Sequence, residues 1–289
     1  LKKRGELFMI KSILVPMGTS DSSVAALKTS INLSNLFKAE LRLLYIEDMR
    51  KINVTMMNYM SAGVGISFDS PSLELENKRA EENIKKEMDF IQTLYNDCKN
   101  TIESKNSLTV IKGDITEEIL KETHSVDLLV MGKSLEKDSE GKLQGYVFNV
   151  IQRTNKPIIS VSKGDTLGNN FLIAYDGSTA ANNALRIAGE FISLLNPAVT
   201  VITVKEDREE AKLLIEEAKK YLLPYKEDIK TIWKHGKEVE SILEVVKEKQ
   251  ISCLVMGGYG DNKIREFFLG RTTEQVLNML DIPVIVANV

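Results

Sequence analysis

One stretch of this chain is written twice. The run Asp127-Leu128-Leu129-Val130-Met131-Gly132 returns as Cys253-Leu254-Val255-Met256-Gly257, and another glycine follows 13 positions later in each copy, at Gly145 and Gly270. Both copies then reach an apolar run opened by proline, Pro157-Ile158-Ile159 and Pro283-Val284-Ile285. A repeat this long makes each copy a folding unit with the same order of elements, which limits the fold before any side-chain chemistry is considered. At 289 residues there is room for two such units, each able to bury its own core. The boundaries expected from the repeat are residues 9–163 and 170–289, with the polar segment from Lys163 to Asn169 between them. So short a linker holds the copies close, as a pseudo-symmetric pair.

Within each copy, short apolar runs alternate with helical stripes. Copy one begins with Ile13-Leu14-Val15-Pro16 and turns at Gly18-Thr19-Ser20-Asp21. Copy two begins with Phe171-Leu172-Ile173-Ala174-Tyr175 and turns at Asp176-Gly177-Ser178. Ala181, Leu185, Ala188, Ile192 and Leu195 then recur at spacings of three and four, the stripe of a helix with one buried face. Second strands at Leu41–Ile46 and Val199–Val204, third strands ending at Gly113 and Gly236, and a helix after each complete the alternation. Strict alternation of this kind implies a parallel sheet of five strands per copy, covered by helices on both faces. One segment breaks the repeat: residues 49 to about 72, with Met56, Met57, Tyr59, Met60 and Gly63-Val64-Gly65, have no counterpart in copy two. They read either as an inserted surface loop or as a lid over a ligand.

Charge and cysteine usage narrow the function. A net charge of −3 gives no general reason to expect nucleic acid, and no apolar run approaches the ~20 residues that span a bilayer. Two cysteines, Cys98 and Cys253, fall in different copies without metal-ligand spacing, which suits a reducing compartment. The first residues lack the apolar segment and cleavage site of a secretory signal.

In an open parallel sheet, ligands bind beyond the carboxyl ends of the strands where strand order reverses, here strands one and four of each copy. In copy two these ends carry Tyr175-Asp176-Gly177-Ser178 and Met256-Gly257-Gly258-Tyr259-Gly260. Beyond them, Gly270-Arg271-Thr272-Thr273-Glu274-Gln275 leads into a helix. Thr272 and Gln275 fit a capping box, which places the helix start at Thr272. Gly270 would let backbone N–H groups approach an anion and the helix dipole would favour it, chemistry suited to phosphate. Neither a Gly-x-x-x-x-Gly-Lys-Ser/Thr loop nor a Gly-x-Gly-x-x-Gly fingerprint follows a first strand, which disfavours motor-type NTPases and dinucleotide enzymes. His124 and His235 stand alone, without a second ligand at metal spacing.

With these residues in place, both copies resemble the universal stress protein family from end to end. Gly257, Gly260 and Gly270 match the family's Gly-x2-Gly-x9-Gly spacing, and Asp176-Gly177-Ser178 matches its turn after strand one. The resemblance implies an α/β fold of two tandem flavodoxin-like (Rossmann-like) domains, paired through their fifth strands, and an adenine nucleotide, ATP or AMP, in the second. It places Ala174, Tyr175 and Asp176 at the adenosine, the backbone of Val204 near adenine, Met256 and Gly257 at ribose and phosphates, and Gly260, Gly270, Arg271 and Thr272 around the phosphate chain. Arg271 stands where the family has Ser or Thr. Asp176 is the candidate to hold Mg2+ through water, although a carboxylate there is also a good turn former. Copy one departs from the motif: Gly18-Thr19 replaces Asp-Gly, Leu135 replaces Gly260, and Tyr146-Val147-Phe148 replaces Arg271-Thr272-Thr273.

The resemblance implies a cytoplasmic stress-response or regulatory protein in which nucleotide controls conformation or assembly, as a homodimer or an intramolecular pseudo-dimer, with a client protein as partner. No catalytic residues are assigned. The rivals are a slow ATP hydrolase or nucleotidyl-transfer enzyme, and a scaffold that holds no ligand.

Overall fold

A computed structural model describes residues 10–48, 71–133, 146–162, 164, 166–258 and 271–288. The first half of the chain runs β1 (Ser12–Met17), α1 (Asp21–Phe37), β2 (Glu40–Asp48), α2 (Pro71–Cys98), β3 (Asn106–Gly113), α3 (Ile115–Thr123), β4 (Leu128–Gly132), α4 (Tyr146–Arg153) and β5 (Ile158–Val161). The second half repeats the order as β6 (Asn170–Ala174), α5 (Thr179–Leu195), β7 (Ala198–Val204), α6 (Arg208–Leu222), β8 (Ile229–Lys234), α7 (Glu238–Glu248), β9 (Cys253–Gly257), α8 (Arg271–Met279) and β10 (Val284–Ala287). This is the α/β alternation expected from the sequence. The segment expected as an insertion, 49 to about 72, lies outside the described residues as far as residue 70. Residues 71 and 72 instead belong to α2, where proline suits the first helical position because its missing N–H has no partner there.

Among the described residues, ten strands form one sheet in the order β3-β2-β1-β4-β5-β10-β9-β6-β7-β8. Neighbours within each half are parallel, and β5 meets β10 antiparallel. Ile159 lies opposite Ile285, with Val284 against Ser160 and Val286 against Ile158. Because Leu129 pairs with Ile158 in one half and Leu254 with Val284 in the other, Ile159 and Ile285 are equivalent positions. A pseudo-twofold axis therefore passes between them. Both prolines sit immediately before these strands, and their carbonyls accept from Leu129 and Leu254, at 3.1 Å and 3.0 Å.

The fully buried runs of β4 and β9 follow from a sheet covered on both faces, where alternating polar residues would have no water to meet. One face packs on α1, α2, α5 and α6, the other on α3, α4, α7 and α8, and each apolar cluster draws residues from both halves. Phe37 of α1 meets Phe191 of α5 edge-on, with ring centroids 5.4 Å apart. Local chemistry sets the helix ends. Ser20 and Ser178 cap α1 and α5 by accepting from Ser23 and Ala181 N–H, while Lys38 and Asn196 stop them in the left-handed region.

Candidate functional site

The chain order reverses between β6 and β9, which pair directly through Phe171 with Cys253 and Ile173 with Val255. Past β6, the Tyr175 N–H donates to the Ile202 carbonyl at 2.9 Å. The Tyr175 carbonyl accepts from the buried Thr203 hydroxyl at 2.9 Å. These bonds bring the ends of β6 and β7 level. Asp176 is exposed, and its Oδ1 accepts from Ser178 N–H at 2.9 Å, closing a turn around Gly177 with φ 86°. Ser178 then starts α5.

Gly257 ends β9 against that helix start. A Cβ on Gly257 would lie 2.8 Å from the Ala180 carbonyl carbon and the Ala181 nitrogen, so only glycine lets the strand end come this near. The Gly257 carbonyl accepts from Thr273 Oγ1 at 3.0 Å, tying the first turn of α8 to the end of β9. The next residue, Gly258, donates its N–H to the Ala287 carbonyl at 2.8 Å. Among the described residues the result is a rim of backbone with one carboxylate and two helix starts.

The family-derived positions divide between this rim and its surroundings. Ala174 and Val204 are half-buried at the ends of β6 and β7, and Asp176 and Gly257 flank the rim. Met256 is buried in the core below it. Tyr175 reaches the rim through its backbone alone. Its ring is buried in the apolar cluster against α5 and α6, and its hydroxyl donates to Asn182 Oδ1 at 2.8 Å. Burial, and then the Glu217 carboxylate, push its titration well above the ordinary tyrosine range. Gly260 and Gly270 lie outside the described residues, as does the side chain of Arg271. The capping box expected at Thr272 gives way to a helix that already includes Arg271, leaving Thr272 half-buried inside the first turn. The hydroxyl that acts here is that of Thr273. Sequence reasoning assigned no role to Thr203 or Thr273, although it set Thr273 against Phe148 in the other copy.

The first half keeps the close approach and differs in the side chains around it. A Cβ on Gly132 would come within 2.5 Å of the Ser22 backbone, repeating the contact at Gly257. Val147 and Phe148, however, are buried in the core, and the Tyr146 hydroxyl donates to Asp48 Oδ2 at 3.4 Å. Leu135 and Gly145 lie outside the described residues. Gly18 N–H donates to Ser23 Oγ at 2.7 Å, where the second half has the Asp176 turn.

Neither histidine joins a site. His124 closes the end of α3, and exposed His235 lies 6.3 Å, ring to ring, from Trp233. Among the described residues no three His, Cys, Asp or Glu gather as a metal-binding group. A Mg2+ ion beside Asp176 would therefore have to take most of its ligands from water and phosphate, as this ion commonly does. No described helix is long and apolar enough to cross a membrane.

Comparison with known proteins agrees with this fold. The model of the universal stress protein family matches residues 9–159 and 204–288, so that β6 and α5 lie between the two matched stretches. Universal stress protein Slr1230 of Synechocystis is 24% identical over 289 residues, covering 96% of this chain and 99% of that protein. Universal stress protein MJ0577 of Methanocaldococcus jannaschii is 30% identical over 167 residues, covering 54% of this chain and 96% of that protein. A crystal structure of a universal stress protein from Archaeoglobus fulgidus superposes with a TM-score of 0.71 at 19% identity, covering 97% of this chain and 99% of that one, and shows the shared fold. With two stretches that together span most of its length matched by one family model, this chain belongs to the universal stress protein family, as a tandem member.

Proposed function

We propose that the second half binds an adenine nucleotide, ATP or AMP, at the rim between Asp176 and Gly257, and that the nucleotide controls conformation or assembly. The observation that carries this reading is the Gly257 close approach with the Thr273 tie, which holds side-chain-free backbone opposite the Asp176 turn. Gly260, Gly270, Arg271 and Thr272 continue the phosphate cradle in this reading, and Ala174 and Val204 border the nucleoside. Asp176 holds Mg2+ through water. Binding alone can act as the signal, because a ligand that prefers one conformation or assembly shifts the population towards it without turnover. Binding rather than turnover is the role proposed, with Asp176 as the carboxylate that the described part of the turn supplies. A client protein and a cytoplasmic setting belong to the same proposal.

The test is mass spectrometry of small molecules released from gently purified protein, with calorimetric titration of ATP and AMP, with and without Mg2+. Wild type should release or bind an adenine nucleotide, and Gly270→Trp should not. No released nucleotide and no heat of binding in wild type would leave the scaffold reading in its place. Rapid turnover that disappears in Asp176→Ala while binding persists would point to an enzyme instead.

A further inference from the structure

Lys133 occupies in the first half the position that Gly258 occupies in the second, directly after the glycine that ends the strand. Its side chain is buried, with 7% of the residue exposed, and Nζ donates to the Leu280 carbonyl of the other half at 2.7 Å. Leu280 directly follows α8 and takes part in its last turn, since its N–H donates to Val276 at 3.0 Å. The carbonyls at a helix end have no partner within the helix, and a cation there also meets the negative end of the helix dipole. A helix of 9 residues depends on tertiary contacts for its place: Val276, Leu277 and Leu280 pack it into the core, and hydrogen bonds fix its ends. α8 has one described anchor at each end: Thr273 on Gly257 at the first turn, and Lys133 on Leu280 at the last.

The converse contact exists as well. Asn288, which follows β10, donates through Nδ2 to the carbonyls of Ile151 and Thr154 at the end of α4, at 2.7 Å and 2.8 Å. Each half thus caps the closing helix of the other across the pseudo-twofold axis. The two caps differ in kind, because Lys133 brings a long-stemmed amine where Asn288 brings an amide, and it acts on the helix that begins at the nucleotide rim.

We infer that Lys133 is a positioning residue for the nucleotide site of the second half, supplied by the first. It fixes the far end of α8 and, through the packed helix, the Thr273 hydroxyl on the Gly257 carbonyl. The inference rests on the nucleotide reading above. It gives the first half, where Val147 and Phe148 are buried in the core at the positions of Thr272 and Thr273, a part in its neighbour's site.

The test compares wild type with Lys133→Met and with Lys133→Gly, the second copying the residue that the other half already carries at this position. ATP affinity is measured by calorimetry well below each melting temperature, and amide hydrogen exchange is followed in the ligand-free full-length chain. Loss of this buried hydrogen bond should weaken ATP binding about tenfold. Exchange in the first turn of α8 and at Gly257-Gly258 should quicken. Combining either change with Thr273→Val should add little further loss of affinity, because the two residues act through one helix. A lower melting temperature with unchanged affinity and unchanged exchange at the rim would make Lys133 structural only and overturn the inference. If wild type binds no adenine nucleotide, the functional reading fails by itself, and exchange alone decides whether Lys133 holds the rim.

Discussion

Tyr175 shows how a residue can stand at the right place in the chain and face away from the chemistry. Its backbone binds β6 to β7, while its ring fills the core and its hydroxyl serves Asn182. Tyr175→Phe should therefore cost about 1 kcal/mol of stability, the worth of one buried neutral hydrogen bond, and leave nucleotide affinity unchanged. The pH dependence has a definite sign. Burial raises the folded titration above the ordinary value of 10.0, so the stabilisation is full below that pH and is lost as pH rises towards the folded value. Urea melts at pH 8 and pH 11 should show the gap between wild type and Tyr175→Phe narrowing at the higher pH. A tenfold loss of nucleotide affinity in the variant would instead place the phenol in the site. Alternation and motif spacing located this residue in the sequence, but they could not reveal its orientation, because the Asn182 partner depends on how α5 packs over the strand.

At the level of elements, the sequence was most legible where a period governs it. The strands, the stripe of α5 and the reversal between β6 and β9 follow from apolar runs and helical spacing. The ties between elements were less legible, because each rests on one hydrogen bond with no periodic signature. The expected capping box at Thr272 is the instructive case: the helix starts one residue earlier, and the neighbouring Thr273 reaches back 16 residues to Gly257. Thr273→Val keeps the shape and removes the hydroxyl, so it should cost about 1 kcal/mol and weaken nucleotide binding. Denaturant melts and calorimetry would check both effects, and full affinity in this variant would remove the tie from the site. Gly258 makes a further link. A Cβ there would lie 1.9 Å from Asn288 Oδ1, and Asn288 is held by its two bonds to α4. Gly258→Ala should displace that side chain and cost about 2 kcal/mol by leaving carbonyls of α4 unpaired. If that is the mechanism, Gly258→Ala should be nearly silent in an Asn288→Ala background, a thermal-melt comparison that a general backbone strain at Gly258 would not satisfy.

At the level of the whole molecule, the repeat has become a single sheet with shared cores and exchanged helix caps. Pairs such as Lys133 and Leu280, separated by 147 residues in sequence, could not be read from either copy alone. They arise where the copies differ at equivalent positions, Lys133 against Gly258. The antiparallel meeting of β5 and β10 is self-complementary, since equivalent residues Ile159 and Ile285 face each other at its centre. Removing the first half would expose the edge of β10 and the apolar residues that α5 and α8 now turn towards their partners, surfaces that do not stay bare in water. Residues 166–289 expressed alone should therefore pair with a second copy of themselves through β10. In that pair each Asn288 would face the end of the partner's α8, the place equivalent to the α4 end it caps here. Light scattering after size-exclusion chromatography should give twice the mass of the fragment at micromolar concentration. Ile285→Lys should return it to monomer, because two ammonium groups would then meet on the axis. A folded monomer without that substitution would mean that the β5–β10 junction depends on contacts peculiar to the two different halves, with the Lys133 cap foremost among them.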